Sequence, residues 1–272
     1  MVSVTRLAAG ALLVAACNRT PPPADGHHVV VISIDTLRAD HLGCYGHPDV
    51  RSPRLDQLAS QGALFEHAIA AAPTTLASHT SLLTGRWPHH HGVPRNGFVI
   101  DSSNLMLAEV LREAGYQTAA FIGGYPLKDE FAFDQGFETF DQEFPKKKGG
   151  RPVWGAQRDA ELVDRAVFAW LDQASGDRPL FLFVHYFDVH PPYRTPAPWH
   201  DAYLEGPDYG INGSLRDIRR LRTEVMEGRP AALRDSTVLH ARYKAGISWT
   251  DHHVGVLLDG LEERGILDHQ LG

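Results

Sequence analysis

Thr74, Thr75 and Ser78 bring three hydroxyl groups together directly behind Pro73, ahead of an apolar helix seed at Leu82-Leu83. The run then stops at Thr84-Gly85-Arg86 and continues past Pro88 into His89, His90 and His91. A hydroxyl at the mouth of a helix faces unpaired backbone N–H groups and the positive end of the helix dipole, where an anion is also favoured. Thr75 and Ser78 therefore carry two readings, a helix cap or an anion site. About forty residues upstream, His28–Gly46 supplies a carboxylate. Val29–Ile34 is a β-branched run interrupted only by Ser33, the pattern of a strand buried on both faces. It ends on Asp35, with Thr36, Arg38, Asp40 and His41 close behind. The carboxyl end of a central strand is where ligands sit in an α/β sheet. A carboxylate there is a natural ligand for a hard divalent cation, or a cap for the next turn.

Together the two segments resemble the N-terminal part of the sulfatase family, within the alkaline-phosphatase superfamily. The family's opening strand ends in a metal-binding Asp pair, then Leu-Arg and Gly-Cys-Tyr-Gly; here these are Asp35, Thr36, Leu37-Arg38 and Gly43-Cys44-Tyr45-Gly46. Its signature, Cys/Ser-x-Pro-Ser-Arg-x-x-x-Leu-Thr-Gly-Arg, aligns with Thr75 to Arg86. Ser78 and Leu83–Arg86 match; Thr75, Ala77 and His79 depart from it. The resemblance covers nearly all of the chain that follows an export signal.

What the resemblance implies is hydrolysis of a sulfate or phosphate ester. In sulfatases the signature Cys or Ser is oxidised to formylglycine. Thr75 cannot become that aldehyde, so no formylglycine is expected, and Thr75 is instead expected to attack directly through its hydroxyl, as in other branches of the superfamily. A bound metal would lower the pKa of that hydroxyl and hold it in line. Asp35, Thr36 and Thr75 are the expected metal ligands, for calcium, manganese or zinc. His79 stands where the family has an arginine, and a neutral His still donates one hydrogen bond. His190 resembles the family's substrate-binding His, with His185 and Asp188 beside it; Ser78, Arg86 and His185 are the other substrate contacts expected. The family's Gly-Lys-x-His aligns with Gly123-Gly124-Tyr125-Pro126, so its sulfate-gripping Lys and His are both missing. The chain stops at Gly272, before the family's next core strand and its remaining metal ligands. Asp251, His252 and His253 read as a polar helix face rather than replacements. The alternative to a hydrolase is a non-catalytic lipoprotein that keeps an anion-binding pocket.

The elements that must position these groups alternate strand and helix, which predicts a central, mostly parallel sheet flanked by helices, sulfatase-like and apparently truncated at the C-terminus. Helices are expected over Pro53–Gln61, Leu105–Ala114, Ala160–Gln173 (capped by Asp159), Leu215–Met226 and Ser236–Arg264, strands over Gln117–Ile122 and Leu180–Phe187, and an extended segment over Ala63–Ala70. Before them, residues 1–16 read as an export signal: Arg6, then the apolar run Leu7–Ala16, too short to span a bilayer. Val14-Ala15-Ala16-Cys17 looks like a bacterial lipoprotein cleavage box, with Cys17 acylated, residues 17–27 a stiff tether, and 28–272 the catalytic domain. The expected location is the exported face of a bacterial membrane. A net charge of −7 argues against nucleic acid as a partner. Besides Cys17 only Cys44 remains, so no internal disulfide forms and Cys44 is expected as a small buried hydrophobe. Lys146-Lys147-Lys148 reads as a solvated loop.

Overall fold

The computed structural model describes residues 26–144 and 157–267. The export signal, Cys17, most of the tether and the triple lysine lie outside them.

Four strands form the sheet: β1 (Val29–Ile34), β2 (Gln117–Ile122), β3 (Thr139–Asp141) and β4 (Leu180–Tyr186), in the order β1-β4-β2-β3. All three pairings are parallel, with Ser33 beside His185 and Ile122 beside His185. The helices are α1 (Pro53–Gln61), α2 (Thr75–Thr84), the single turn α3 (Pro88–His91), α4 (Leu107–Glu113), α5 (Ala160–Leu171), α6 (Leu215–Met226) and α7 (Pro230–Glu263).

β4, LFLFVHY, is buried at every position because helices cover both faces of the sheet, as a parallel sheet requires. Alternation then sorts its side chains. Phe181 and Phe183 pack with Leu76, Ala77 and Leu83 of α2 and Ala108 of α4. Leu182, Val184 and Tyr186 pack with Val163 and Val167 of α5 and Val254, Leu257 and Leu261 of α7. By the same period-2 rule Ser33, Asp35 and His185 fall on the α2 face.

Several expectations needed correction. The segment 63–70 is, as expected, neither helix nor strand, but a turn at 66–67 interrupts it, and it is exposed, Ile69 to 90%. Asp159 makes no side-chain cap to α5; the acceptor is Asp188, whose Oδ1 receives the Ala160 N–H at 3.1 Å. α7 starts at Pro230, six residues before the expected Ser236, with Pro in the first turn, where its missing N–H costs nothing. Asp251 and His253 are not a solvated face. Asp251 accepts the Leu55 N–H at 2.8 Å, and His253 Nδ1 lies 2.6 Å from Asp164 Oδ2; both residues are buried because α7 is covered by α1 and α5 as well as the sheet. Cys44 is half-buried rather than buried, its N–H held by Asp56.

Candidate active site

β1 and β4 deliver their last residues to one place. The Asp35 N–H donates to the Tyr186 carbonyl at 3.0 Å, extending the β1–β4 ladder by one step. Its carboxylate then sits 3.5 Å from His185 Nε2, and His185 has no exposed surface. At that distance the contact is an electrostatic pairing, and both ring nitrogens of His185 lack hydrogen-bond partners.

α2 arrives above with its N-terminus at the same point. Thr74 is its N-cap residue but makes no side-chain cap bond. The side-chain acceptor is Asn96, whose Oδ1 receives the Leu76 N–H at 2.8 Å. Thr75 is thus released from capping, and its hydroxyl lies beside the Asp35 carboxylate, where it favours the charged form. Ser78 donates to the Thr75 carbonyl at 3.0 Å. Burial pushes the Asp35 carboxyl up, but His185 and the Thr75 hydroxyl outweigh it and hold the group below its ordinary value. Asp35 is therefore ionised at neutral pH.

His79 lies one turn along α2. Nδ1 is 2.7 Å from the Thr75 carbonyl, which can only accept, so the proton is on Nδ1. Nε2 then accepts from the Ser33 hydroxyl at 2.7 Å. Burial, then the neighbouring His185, push its pKa down to about 4. His79 is a neutral ring with both nitrogens engaged, which holds the first turn of α2 against β1.

A cavity of about 400 Å³ opens over Asp35, Thr36, Thr74, Thr75, Ser78 and His79, with Asn96 and His190 on its wall. His190 stacks on Phe187 at 4.3 Å and its Nδ1 donates to the Pro191 carbonyl at 2.6 Å, so Nε2 is its open nitrogen. Phe187 also packs on Gly124, where an added Cβ would meet the ring at 2.5 Å. A Lys at 124 is incompatible with that ring.

The structure therefore brings together Asp35, Thr75, Ser78, His79 and His190; His185, expected to contact substrate, lies beneath Asp35 with no exposed surface and off the cavity wall. Nor does the structure bring in Arg86, which is exposed beyond the far end of α2, about 15 Å of helix from Thr75. Thr36 sits at φ 58, unusual for a β-branched residue. Its hydroxyl donates to the Asp35 carbonyl at 2.7 Å, and its own carbonyl accepts from Tyr243 at 2.8 Å. Ser33 and Asn96 were not anticipated. Ser33 reads as a break in an apolar run, and nothing local to Asn96 marks it.

Two of the buried polar atoms left without partners, Asp35 Oδ2 and Thr74 Oγ1, belong to residues on the cavity wall, a deficit native interiors rarely carry unless a ligand meets it. A resident metal is not what the described residues alone can hold. No group of three His, Cys, Asp or Glu converges among them, and Asp35 is the one carboxylate on the cavity wall. That falls short of about four ligands for zinc or about six for calcium.

Solved structures share this architecture. The phosphonate monoester hydrolase of Agrobacterium radiobacter superposes with a TM-score of 0.66 at 20% identity, covering 89% of this chain and 60% of that one. An alkaline phosphatase superfamily protein from Vibrio parahaemolyticus does so at 0.55 and 21%, covering 89% and 52%. The fold is thus of the alkaline-phosphatase type. Within it, the sulfatase family profile matches residues 27–271, and the chain belongs to the sulfatase family. The ulvan-active sulfatase of Formosa agariphila is 26% identical over 267 residues, 90% of this chain and 48% of that protein. The chain spans about half the length of the curated relatives it matches.

Proposed function

We propose that this protein is a hydrolase of sulfuric or phosphoric esters in which Thr75 is the nucleophile. The observation that carries this reading is the Thr75 hydroxyl beside an ionised, buried Asp35 at the floor of a cavity. Thr75 Oγ1 would form a bond to sulfur or phosphorus as the bond to the ester oxygen breaks. The Thr75 proton would pass by way of Asp35 to the departing oxygen, which leaves as the alcohol. Water would then cleave the Thr75 ester, releasing sulfate or phosphate and restoring the hydroxyl. The anion would lie at the N-terminus of α2, where backbone N–H groups and the helix dipole favour negative charge. Open Nε2 of His190 is placed to meet a substrate oxygen, while His79 and Ser33 position Thr75 without touching substrate. The names of relatives, an ulvan-active sulfatase and iduronate 2-sulfatase, support a sulfated saccharide as substrate. Sulfatases and their alkaline-phosphatase relatives generally depend on a divalent metal. Asp35 would give one ligand to it, with calcium, manganese or zinc all open, and no formylglycine would form at Thr75.

The test is turnover of paired sulfate and phosphate esters by the native protein and by Thr75→Ala. Undiminished hydrolysis by the variant removes Thr75 from the role. The small donor set favours a second reading, anion binding without turnover. Saturable sulfate binding with no hydrolysis of either ester would decide for it.

We also infer that Cys17 is the acylated first residue of an exported lipoprotein. Among the described residues no helix is long and apolar enough to cross a membrane. Mass spectrometry of the mature N-terminus tests this: an unmodified or retained Cys17 refutes it.

A further inference from the structure

The segment from Thr36 to His41 borders two cavities. Thr36 and Leu37 line the one over Asp35, and His41 lines a second, of about 490 Å³, that the proposed reaction does not use. At most about 18 Å of chain separates Thr36 from His41. Five of the second cavity's wall residues, His41, His47, Arg234, His240 and Lys244, are cationic or become so on protonation, against one carboxylate, Glu205.

Their hydrogen-bond state leaves donors to spare. His47 Nδ1 accepts the N–H groups of Asp49 and Val50, both at 3.2 Å, so its proton is on Nε2. Lys244 Nζ meets Asp49 at 3.1 Å, one bond for an ammonium with three donors. His240 precedes Lys244 by one turn on the same face of α7. Asp40, Asp49 and Asp235 pair with Arg38 and His41, with Lys244 and with Arg234 respectively. These carboxylates offset three of the wall's charges and leave His47 and His240 outside any ion pair among the described residues. Burial first, and then Lys244 and His41, hold His47 below its ordinary value; burial, His41, Lys244 and Arg38 do the same to His240. What this wall offers is a set of hydrogen-bond donors with capacity to spare.

We propose that the second cavity is an oxyanion subsite, taking a further sulfate or phosphate group of the ligand whose ester lies at Asp35 and Thr75. It rests on the hydrolase reading only for the link between the two cavities. His47 Nε2, Lys244 Nζ and His240 grip the oxyanion, and the short 36–41 segment fixes the spacing between the two groups that a ligand must match. The site thereby selects substrates with more than one anionic group.

The experiment follows the histidine side-chain ¹⁵N signals of the native protein during titration with inorganic sulfate and with a disulfated disaccharide, beside turnover of a monosulfated aryl ester. The signals of His47 and His240 should shift saturably. Lys244→Gln should weaken that binding about tenfold, the loss of one charge-assisted contact, and leave aryl ester turnover unchanged, and Lys244→Arg should restore it. Thr75→Ala should leave the sulfate-induced shifts intact. The disaccharide should bind more tightly than sulfate. Linear, unsaturated shifts, equal binding by Lys244→Gln, or shifts abolished by Thr75→Ala would each overturn the subsite. Equal affinity for disaccharide and sulfate would overturn the bridging of the two cavities. Saturable shifts without any ester turnover would instead overturn the hydrolase reading and leave the subsite standing.

Discussion

On the α2 face of the sheet, Asp35 faces His185 at 3.5 Å, keeps one oxygen without a hydrogen-bond partner, and looks onto a cavity of about 400 Å³. On the α7 face, Asp164 receives His253 at 2.6 Å on one oxygen and the Tyr186 hydroxyl on the other. Nearby Asp188 receives the indole of Trp249 at 3.0 Å, and the cavity beside it has about 10 Å³, room for a single water. Both faces bury carboxylates and imidazoles. One closes them on each other and ties α5, α7 and β4 together; the other leaves them facing space. Titratable side chains alone therefore do not mark a site here, nor do unpartnered atoms, since Asp188 Oδ2 and His253 Nε2 lack partners too; the difference lies in which groups look onto open space.

Substitutions on the two faces should separate cleanly. The largest effect expected is with Thr75→Ala, a loss of ester turnover of about a thousandfold or more with a denaturation midpoint close to that of the parent. A large stability loss would mean that Thr75 belongs with the structural face. Asp164→Ala should do the reverse, costing about 3–5 kcal/mol in urea unfolding because His253 and Tyr186 lose a buried partner. A cost under about 1 kcal/mol would break the comparison.

Acid should pull the two faces in opposite directions. His79 titrates at about 4 in the fold against an ordinary 6.5, so the unfolded chain binds the extra proton and stability falls as pH drops through that window. Asp188 is pushed up to about 6 by burial from an ordinary 3.8. There the folded state binds the proton first, and stability rises as pH drops from about 6 toward 4. Each contribution is at most about 3 kcal/mol. Asp188→Asn should steepen acid unfolding and His79→Gln should flatten it, read as urea midpoints between pH 4 and 7. Identical profiles would refute the assignment.

Smaller effects sharpen the boundary of the site. His190→Ala should raise KM about tenfold, one lost hydrogen bond to a charged group, with stability little changed. Arg86→Ala should change neither turnover nor stability by more than about 0.5 kcal/mol, since Arg86 is exposed and remote. A large turnover loss would move the site along α2.

Much of this architecture was legible in the chain. Strands announce themselves as apolar runs, so β1, β2 and β4 fell where Val29–Ile34, Gln117–Ile122 and Leu180–Phe187 predicted; β1, however, is half-buried throughout and edges the described sheet rather than being buried on both faces. The three-residue β3 is too short to carry a pattern. The gathering of Asp35 and Thr75 followed from motif resemblance. Ser33 could not be read, because its partner His79 lies 46 residues away and meets it only when α2 lies over β1. Asp251 and His253 were misread because a polar stripe signals solvent only when a helix has a free face. In α7 that stripe meets α1 and α5. The family's missing Lys also gained a reason: Phe187 fills the space beside Gly124.

The Tyr243 hydroxyl that fixes the Thr36 carbonyl reaches across 207 residues of sequence. Asp35 leaves the ribosome early, but the bond that fixes the turn beside it must wait for α7. At typical synthesis rates that delay is roughly 10–40 s. Through most of that interval β1 also lacks β4, and the nascent chain carries Asp35, Thr75 and His79 as unassembled parts. Completion of this cavity is thus a late event in the life of each molecule, and a ribosome stalled before Tyr243 would display every early motif without the bond that fixes the turn after Asp35.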